Sequence, residues 1–239
     1  MILDILTTQH SKIRENHLDL YVILFHTLSV LHKYCIKYSI AYGTLLAQVR
    51  HKNILIWEYD VDLILESDHI FESQHIWKEL YDKGIAILIT PYEQGYSALY
   101  RLVLHKDLNE TPPMHPIMAG LNYNYPKQML DLHTASYINK CYPKMRLNLN
   151  NLESCKLGPL NTFRVKDYVG VLNYSYTSSC IHEVIVDHNN DFIPNAIIPY
   201  KLTETDIDDM NKFYESSEYN ITLEYIIEHS DKLLNGVNG

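Results

Sequence analysis

The stretch Ala41-Tyr42-Gly43-Thr44-Leu45-Leu46-Ala47-Gln48-Val49-Arg50-His51-Lys52, followed by Trp57-Glu58-Tyr59-Asp60-Val61-Asp62-Leu63, decides the fold. A Gly-Thr step opens a short helix, a basic cluster closes it, and two aspartates then alternate along an apolar run. Strand side chains alternate faces with a rise of ~3.3 Å per residue, so Asp60 and Asp62 point the same way roughly 7 Å apart. Two carboxylates so placed repel, and one stays protonated unless a cation neutralises both. Hard oxygen ligands favour Mg²⁺ or Mn²⁺. A helix start at Gly43-Thr44 offers backbone N–H groups to a phosphate. Metal on one side and phosphate on the other reads as phosphoryl transfer. The plainer alternative puts both aspartates on the solvent face of an edge strand and makes Gly43 a turn residue needing an unusual backbone angle.

The same segment resembles the signature of the LicD/fukutin-type transferases, a branch of the nucleotidyltransferase fold. Their pattern runs roughly Y-G-T-L-L-G-A-V-R-H-x-G-x-I-P-W-D-D-D-I-D. Tyr42, Gly43, Thr44, Leu45, Leu46, Val49, Arg50, His51, Ile56 (one place late, where the Pro stands), Trp57, Asp60 and Asp62 carry the likeness. Ala47-Gln48 depart from Gly-Ala, Ile56 from the Pro, and Glu58-Tyr59 from the first two acids. The resemblance implies an α/β fold, a mixed sheet flanked by helices, with the acids on one sheet face and C-terminal helices completing the cleft. It also implies a third metal-binding acid on a later strand, matched by Asp131 in Met129-Leu130-Asp131-Leu132, and a basic strand residue, matched by Arg101. Further on, Phe163 to Tyr176 resembles the family's later turn and helix, with Thr177 where a Gly is expected.

Length and composition bound the rest. A chain of 239 residues can bury a substantial core, and one domain spanning 1–239 is expected, with 107–126 as a long loop or insertion. A formal charge of −9 argues against a sequence-independent nucleic-acid binder. Cys35, Cys141, Cys155 and Cys180 lack C-x-x-C spacing, which fits reduced thiols, although two disulfides or a zinc site from Cys141, Cys155 and His133 stay open. Residues 20–31 are too short an apolar run to span a bilayer, and no signal peptide is evident. A cytoplasmic protein of bacterial or viral type is the expectation.

Periodicity predicts a helix over 11–38, a strand over 39–42, a helix over 44–50 and a strand over 61–65. A helix carrying Phe71, Ile76 and Leu80 follows, capped by Ser67 or Asp68 and ended by Gly84. Strands are predicted over 85–89 and 98–104, and again from Met129. Thr203-Glu204-Thr205-Asp206 reads as a capping box, and 223–234 as the last helix.

The candidate site follows. Asp60, Asp62 and Asp131 are expected to bind Mg²⁺ or Mn²⁺ and to carry catalysis. Gly43, Thr44, Arg50, His51 and Arg101 are expected to bind substrate phosphates, although Arg50 could pair with Glu58 instead. His182-Glu183 reads as local structure. By resemblance the donor is CDP-linked, carrying phosphocholine or an alditol phosphate, and the acceptor is a glycan hydroxyl. Tyr92, Tyr96 and Tyr100 could cage a quaternary ammonium. Three rivals stand beside this reading: transfer of NMP to a small molecule or protein, a glycosyltransferase using Asp60-x-Asp62, and a degenerate nucleotide- or glycan-binding protein.

Overall fold

The computed structural model describes residues 2–67, 73–91, 98–108, 110, 112–118, 128–145, 147–176, 180, 185–186 and 200–236. Helix α1 (Ile2–Lys33) starts well before residue 11, because Ile5 and Leu6 already face the core. It ends at Lys33 rather than at residue 38. Cys35 adopts φ 54°, the Ile36 N–H reaches the Leu31 carbonyl at 2.9 Å, and the Cys35 N–H reaches the His32 carbonyl at 3.1 Å. That bond pair is a Schellman closure, here with cysteine in the position glycine usually takes.

Strand β1 (Tyr38–Ile40) follows, then α2 (Tyr42–His51), β2 (Asp60–Leu65), α3 (Gln74–Tyr81), β3 (Ile85–Pro91) and β4 (Ala98–Leu104). After a 3₁₀ turn over His105–Asp107 come β5 (Ile117–Met118), β6 (Met129–Thr134) and α4 (Ala135–Cys141). The chain continues through β7 (Leu152–Leu157), β8 (Leu160–Val165), α5 (Tyr168–Ser175), β9 (Ile185–Val186), β10 (Tyr200–Lys201), α6 (Glu204–Glu215) and α7 (Leu223–Gly236). Ser73 precedes α3. The predicted cap Asp68 and core residue Phe71 lie outside the described residues, as do 109, 111 and 119–126 of the expected loop. Within the remainder of that loop, β5 adds a short strand.

Six strands form one mixed sheet in the order β1-β2-β6-β4-β3-β5. β2 pairs parallel with β6, and β6 antiparallel with β4. β1 joins β2 antiparallel, β3 joins β4 antiparallel, and β5 joins β3 parallel. The fold is therefore α/β with a mixed sheet, flanking helices and C-terminal helices. Val61, Leu63, Leu65, Leu130 and Leu132 are buried on the face away from Asp62 and Asp131, beneath α1, which crosses β2, β6 and β4. Burying each such side chain contributes roughly 1.5–3 kcal/mol. Helices α6 and α7 pack along α1. The Thr203/Asp206 capping box opens α6 as expected, with the Asp206 N–H on Thr203 Oγ1 and the Thr203 N–H on Asp206 Oδ2.

The β7–β8 hairpin is an addition that apolar periodicity did not announce. It packs beside β1, where the Val165 N–H donates to Ser39 Oγ at 3.1 Å. Its turn glycine, Gly158, has φ 56°, and a Cβ there would overlap the Tyr21 hydroxyl of α1. Only glycine meets both demands at that point.

Candidate active site

Register places the acids. Asp62 of β2 lies directly beside Asp131 of the parallel strand β6, and Arg101 of β4 lies directly opposite Asp131. Arg101, Asp131 and Asp62 thus form one row across three strands. His133 follows Asp131 by two residues and returns to the same face. Its Nε2 is 3.2 Å from Asp62 Oδ1, and Arg101 Nε is 3.3 Å from Asp131 Oδ1. One ligand atom from each of Asp62, Asp131 and His133 lies within 4.8 Å of the others. These three could hold a metal ion. Asp60 sits two residues before Asp62 on β2, outside that group but close enough for its charge to act on it.

The electrostatics suit a cation. Burial, aided by the Asp60 charge, holds the Asp62 carboxyl well above the usual carboxylate range. Burial also pushes Asp131 up to about 7, the Asp62 charge adds to this, and Arg101 offsets part of it. Burial lowers the His133 imidazole, with the Asp131 and Asp60 charges pulling the other way. Two half-compensated carboxyls and an imidazole inclined to be neutral make a donor set that a divalent ion would stabilise.

The start of α2 braces this row. The Ala41 N–H bonds the Asp62 carbonyl at 3.0 Å, and the Asp62 N–H donates to Thr44 Oγ1 at 2.9 Å. Thr44 is buried, so one of its lone pairs holds the strand that carries Asp62 rather than facing a ligand. The strained backbone angle expected at Gly43 belongs to its neighbour: Tyr42 has φ 43°, and its ring meets the His133 ring edge-on at 5.1 Å. Gly43 matters for space. A Cβ there would stand 3.3 Å from Glu58 Oε1, so the missing side chain lets the Glu58 carboxylate lie against the helix start.

The other expected residues are distributed more widely. His51 ends α2, some 13 Å along the axis from Tyr42 at ~1.5 Å per residue. Its Nδ1 is 2.9 Å from Asn211 Oδ1 of α6, and its ring packs on Tyr214. Arg50 donates from Nη2 to the Cys180 carbonyl, and burial lowers its pKa to about 10, which leaves it charged. Tyr100 pairs with Leu132 and packs on the main core, whereas the adjacent Arg101 faces the acids. Tyr92, Tyr96, His182, Glu183 and Thr177 lie outside the described residues. All four cysteines are free thiols; Cys141 is exposed at the end of α4, Cys155 is on β7, and His133 groups with the aspartates.

Two departures from the family pattern gain a physical account. Gln48 is buried, accepts from Arg164 Nη1 at 2.8 Å and donates to the Lys156 carbonyl at 3.2 Å, tying α2 to both strands of the β7–β8 hairpin. Tyr59 is 42% exposed, and the charges of Asp60, Glu58 and Asp131 raise its hydroxyl pKa further after burial. It stands at the rim of the acid row. His133 was the site residue missed as a partner of the aspartates, although its signal was present: Asp131-x-His133 alternates as Asp60-x-Asp62 does.

Residues 35–89 match the family model for the LicD/FKTN/FKRP nucleotidyltransferase domain. The matched region carries α2, Asp60 and Asp62. Arg101, Asp131 and His133 lie beyond it in sequence and are brought to it by strand pairing. Over 164 residues, 66% of this chain, the protein is 26% identical to an uncharacterized protein of Rickettsia prowazekii (strain Madrid E). The aligned region covers 54% of that protein, so the chain spans about half the length of the curated relative it matches. No helix among the described residues is long and apolar enough to cross a membrane.

Proposed function

We propose that this protein is a metal-dependent transferase that moves phosphocholine or an alditol phosphate from a CDP-linked donor to a glycan hydroxyl. The observation that carries the reading is the pairing of Asp62 with Asp131 on adjacent parallel strands, with His133 completing a donor set within 4.8 Å. The match of residues 35–89 to a nucleotidyltransferase-domain family supports it.

Asp62, Asp131 and His133 would hold the ion, with Asp60 beside them. A bound divalent ion would shield the donor diphosphate and stabilise charge that develops on its oxygens. Arg101, now on Asp131, is placed to reach a donor phosphate with a charge-assisted bond. The backbone N–H groups of the Gly43-Thr44 helix start would hold a second phosphate after Glu58 withdraws from Gly43. The acceptor oxygen forms a bond to the distal phosphorus, the bond from that phosphorus to the bridging oxygen breaks, and CMP leaves. The hydroxyl proton passes to one of the aspartates. Positioning and charge stabilisation do most of the chemistry.

The test uses a donor labelled separately in the nucleoside and in the distal group, with Mn²⁺ or Mg²⁺ present. Distal label on the acceptor or in water, with labelled CMP released, is the expected result. Nucleoside label retained on the acceptor would establish NMP transfer instead.

A further inference from the structure

We propose that the site takes a first-row transition ion in preference to Mg²⁺, because His133 is one of its ligands. The proposal rests on the reading of Asp62, Asp131 and His133 as a metal's donor set and goes beyond it by naming the class of ion that this set prefers. Mg²⁺ demands an oxygen shell and dehydrates reluctantly, whereas imidazole nitrogen suits the transition ions.

Three features make His133 a ligand as well as a neighbour. Strand alternation returns its side chain to the face of Asp131, and parallel register sets it beside Ile64, one step diagonal to Asp62. Its Nε2, the atom that would bind, is the one turned toward Asp62 Oδ1 at 3.2 Å. The edge-on Tyr42 ring limits how the imidazole turns, and Tyr42 is itself held in a left-handed conformation at the start of α2. A hydrogen bond between Nε2 and Asp62 explains the contact without any ion; the experiment separates that role from ligation.

The full-length protein is titrated calorimetrically with Mn²⁺ and with Mg²⁺, and the Mn²⁺ complex is examined by electron spin-echo modulation. The expected result is modulation from a directly bonded ¹⁴N that changes character when the protein is labelled with ¹⁵N-histidine, and Mn²⁺ binding tighter than Mg²⁺. His133→Asn should remove the nitrogen modulation and weaken Mn²⁺ by at least about tenfold while changing Mg²⁺ far less. The isotope measurement on the unaltered chain decides the matter even where the variant folds poorly. Mn²⁺ binding that Asp62→Asn abolishes but that shows no nitrogen modulation would overturn the His133 assignment and leave the transferase reading standing. Absence of divalent binding altogether would overturn both.

Discussion

In the proposed site, Asp131 is the residue on which metal and proton would compete. Burial and the Asp62 charge raise its carboxyl from 3.8 to about 7, so the metal-free folded chain keeps a proton that the unfolded chain loses. The sign follows from linkage: this group favours the fold below about 4, and that contribution is lost as pH rises through about 7. A divalent ion must displace the same proton, so its affinity should rise with pH and level off above about 7. Mn²⁺ is expected to bind about tenfold more weakly at pH 6 than at pH 8, measured as the metal-induced shift in Tm at fixed ion concentration. An equal shift at both pH values would contradict this. Thr44 supplies a second expectation at this scale. Thr44→Val removes the acceptor for the buried Asp62 N–H and should cost about 1–3 kcal/mol with a loss of metal affinity. Thr44→Ser should restore both, as read by urea unfolding and Mn²⁺ titration. Gly43 and Thr44 stand out in the sequence as a helix start whose backbone N–H groups can meet a phosphate. Their use of a hydroxyl for a neighbouring strand, and of empty space for Glu58, depends on tertiary approach that no local pattern carries.

At the scale of elements, the strands with alternating acids and the capped C-terminal helices were legible because their signals are periodic and local. The ends of α1 were not. Its early start depends on what Ile5 and Leu6 meet, and its stop on a cysteine in a conformation that composition does not favour. The β7–β8 hairpin was hidden for a related reason. It is anchored from outside by Gln48 and Ser39 and by the fit of Gly158 against Tyr21, so its own apolar pattern is weak. Gly158→Ala should expose that dependence. A left-handed angle costs about 1–2 kcal/mol in an L-residue, and overlap with Tyr21 adds about 1–3 kcal/mol. A loss of about 2–5 kcal/mol in unfolding free energy is expected, partly recovered in Gly158→Ala/Tyr21→Phe. No recovery in the double variant would show that the tyrosine hydroxyl is not the obstacle.

Across the whole molecule, α1 links the sheet to the C-terminal helices through buried polar groups. His17 meets the Leu55 carbonyl at 3.1 Å and the Tyr219 hydroxyl at 2.8 Å, and burial lowers its pKa from 6.5 to about 4. A depressed folded pKa contributes stability that is present above 6.5 and lost as pH falls toward 4, roughly 3 kcal/mol for such a shift. Asp131 acts with opposite sign in part of this window, so the test is the difference in urea midpoint between wild type and His17→Gln across pH 4–7. That difference should shrink as pH falls; a constant offset would contradict the assignment. The same long-range packing explains why the three later members of the candidate site were harder to read than the first two. Asp60 and Asp62 share a motif, whereas Asp131, His133 and Arg101 join them only through the pairing of β2, β6 and β4.

The central claim is that this row of strands performs metal-dependent transfer. Its most direct test is CMP release from CDP-choline, CDP-ribitol and CDP-glycerol with Mn²⁺, comparing wild type with Asp62→Asn and Asp131→Asn. Release by the wild type that a chelator stops and either substitution reduces at least about a hundredfold is the expected result. Equal release by wild type and variants, or none from any donor while metal and nucleotide still bind, would contradict it.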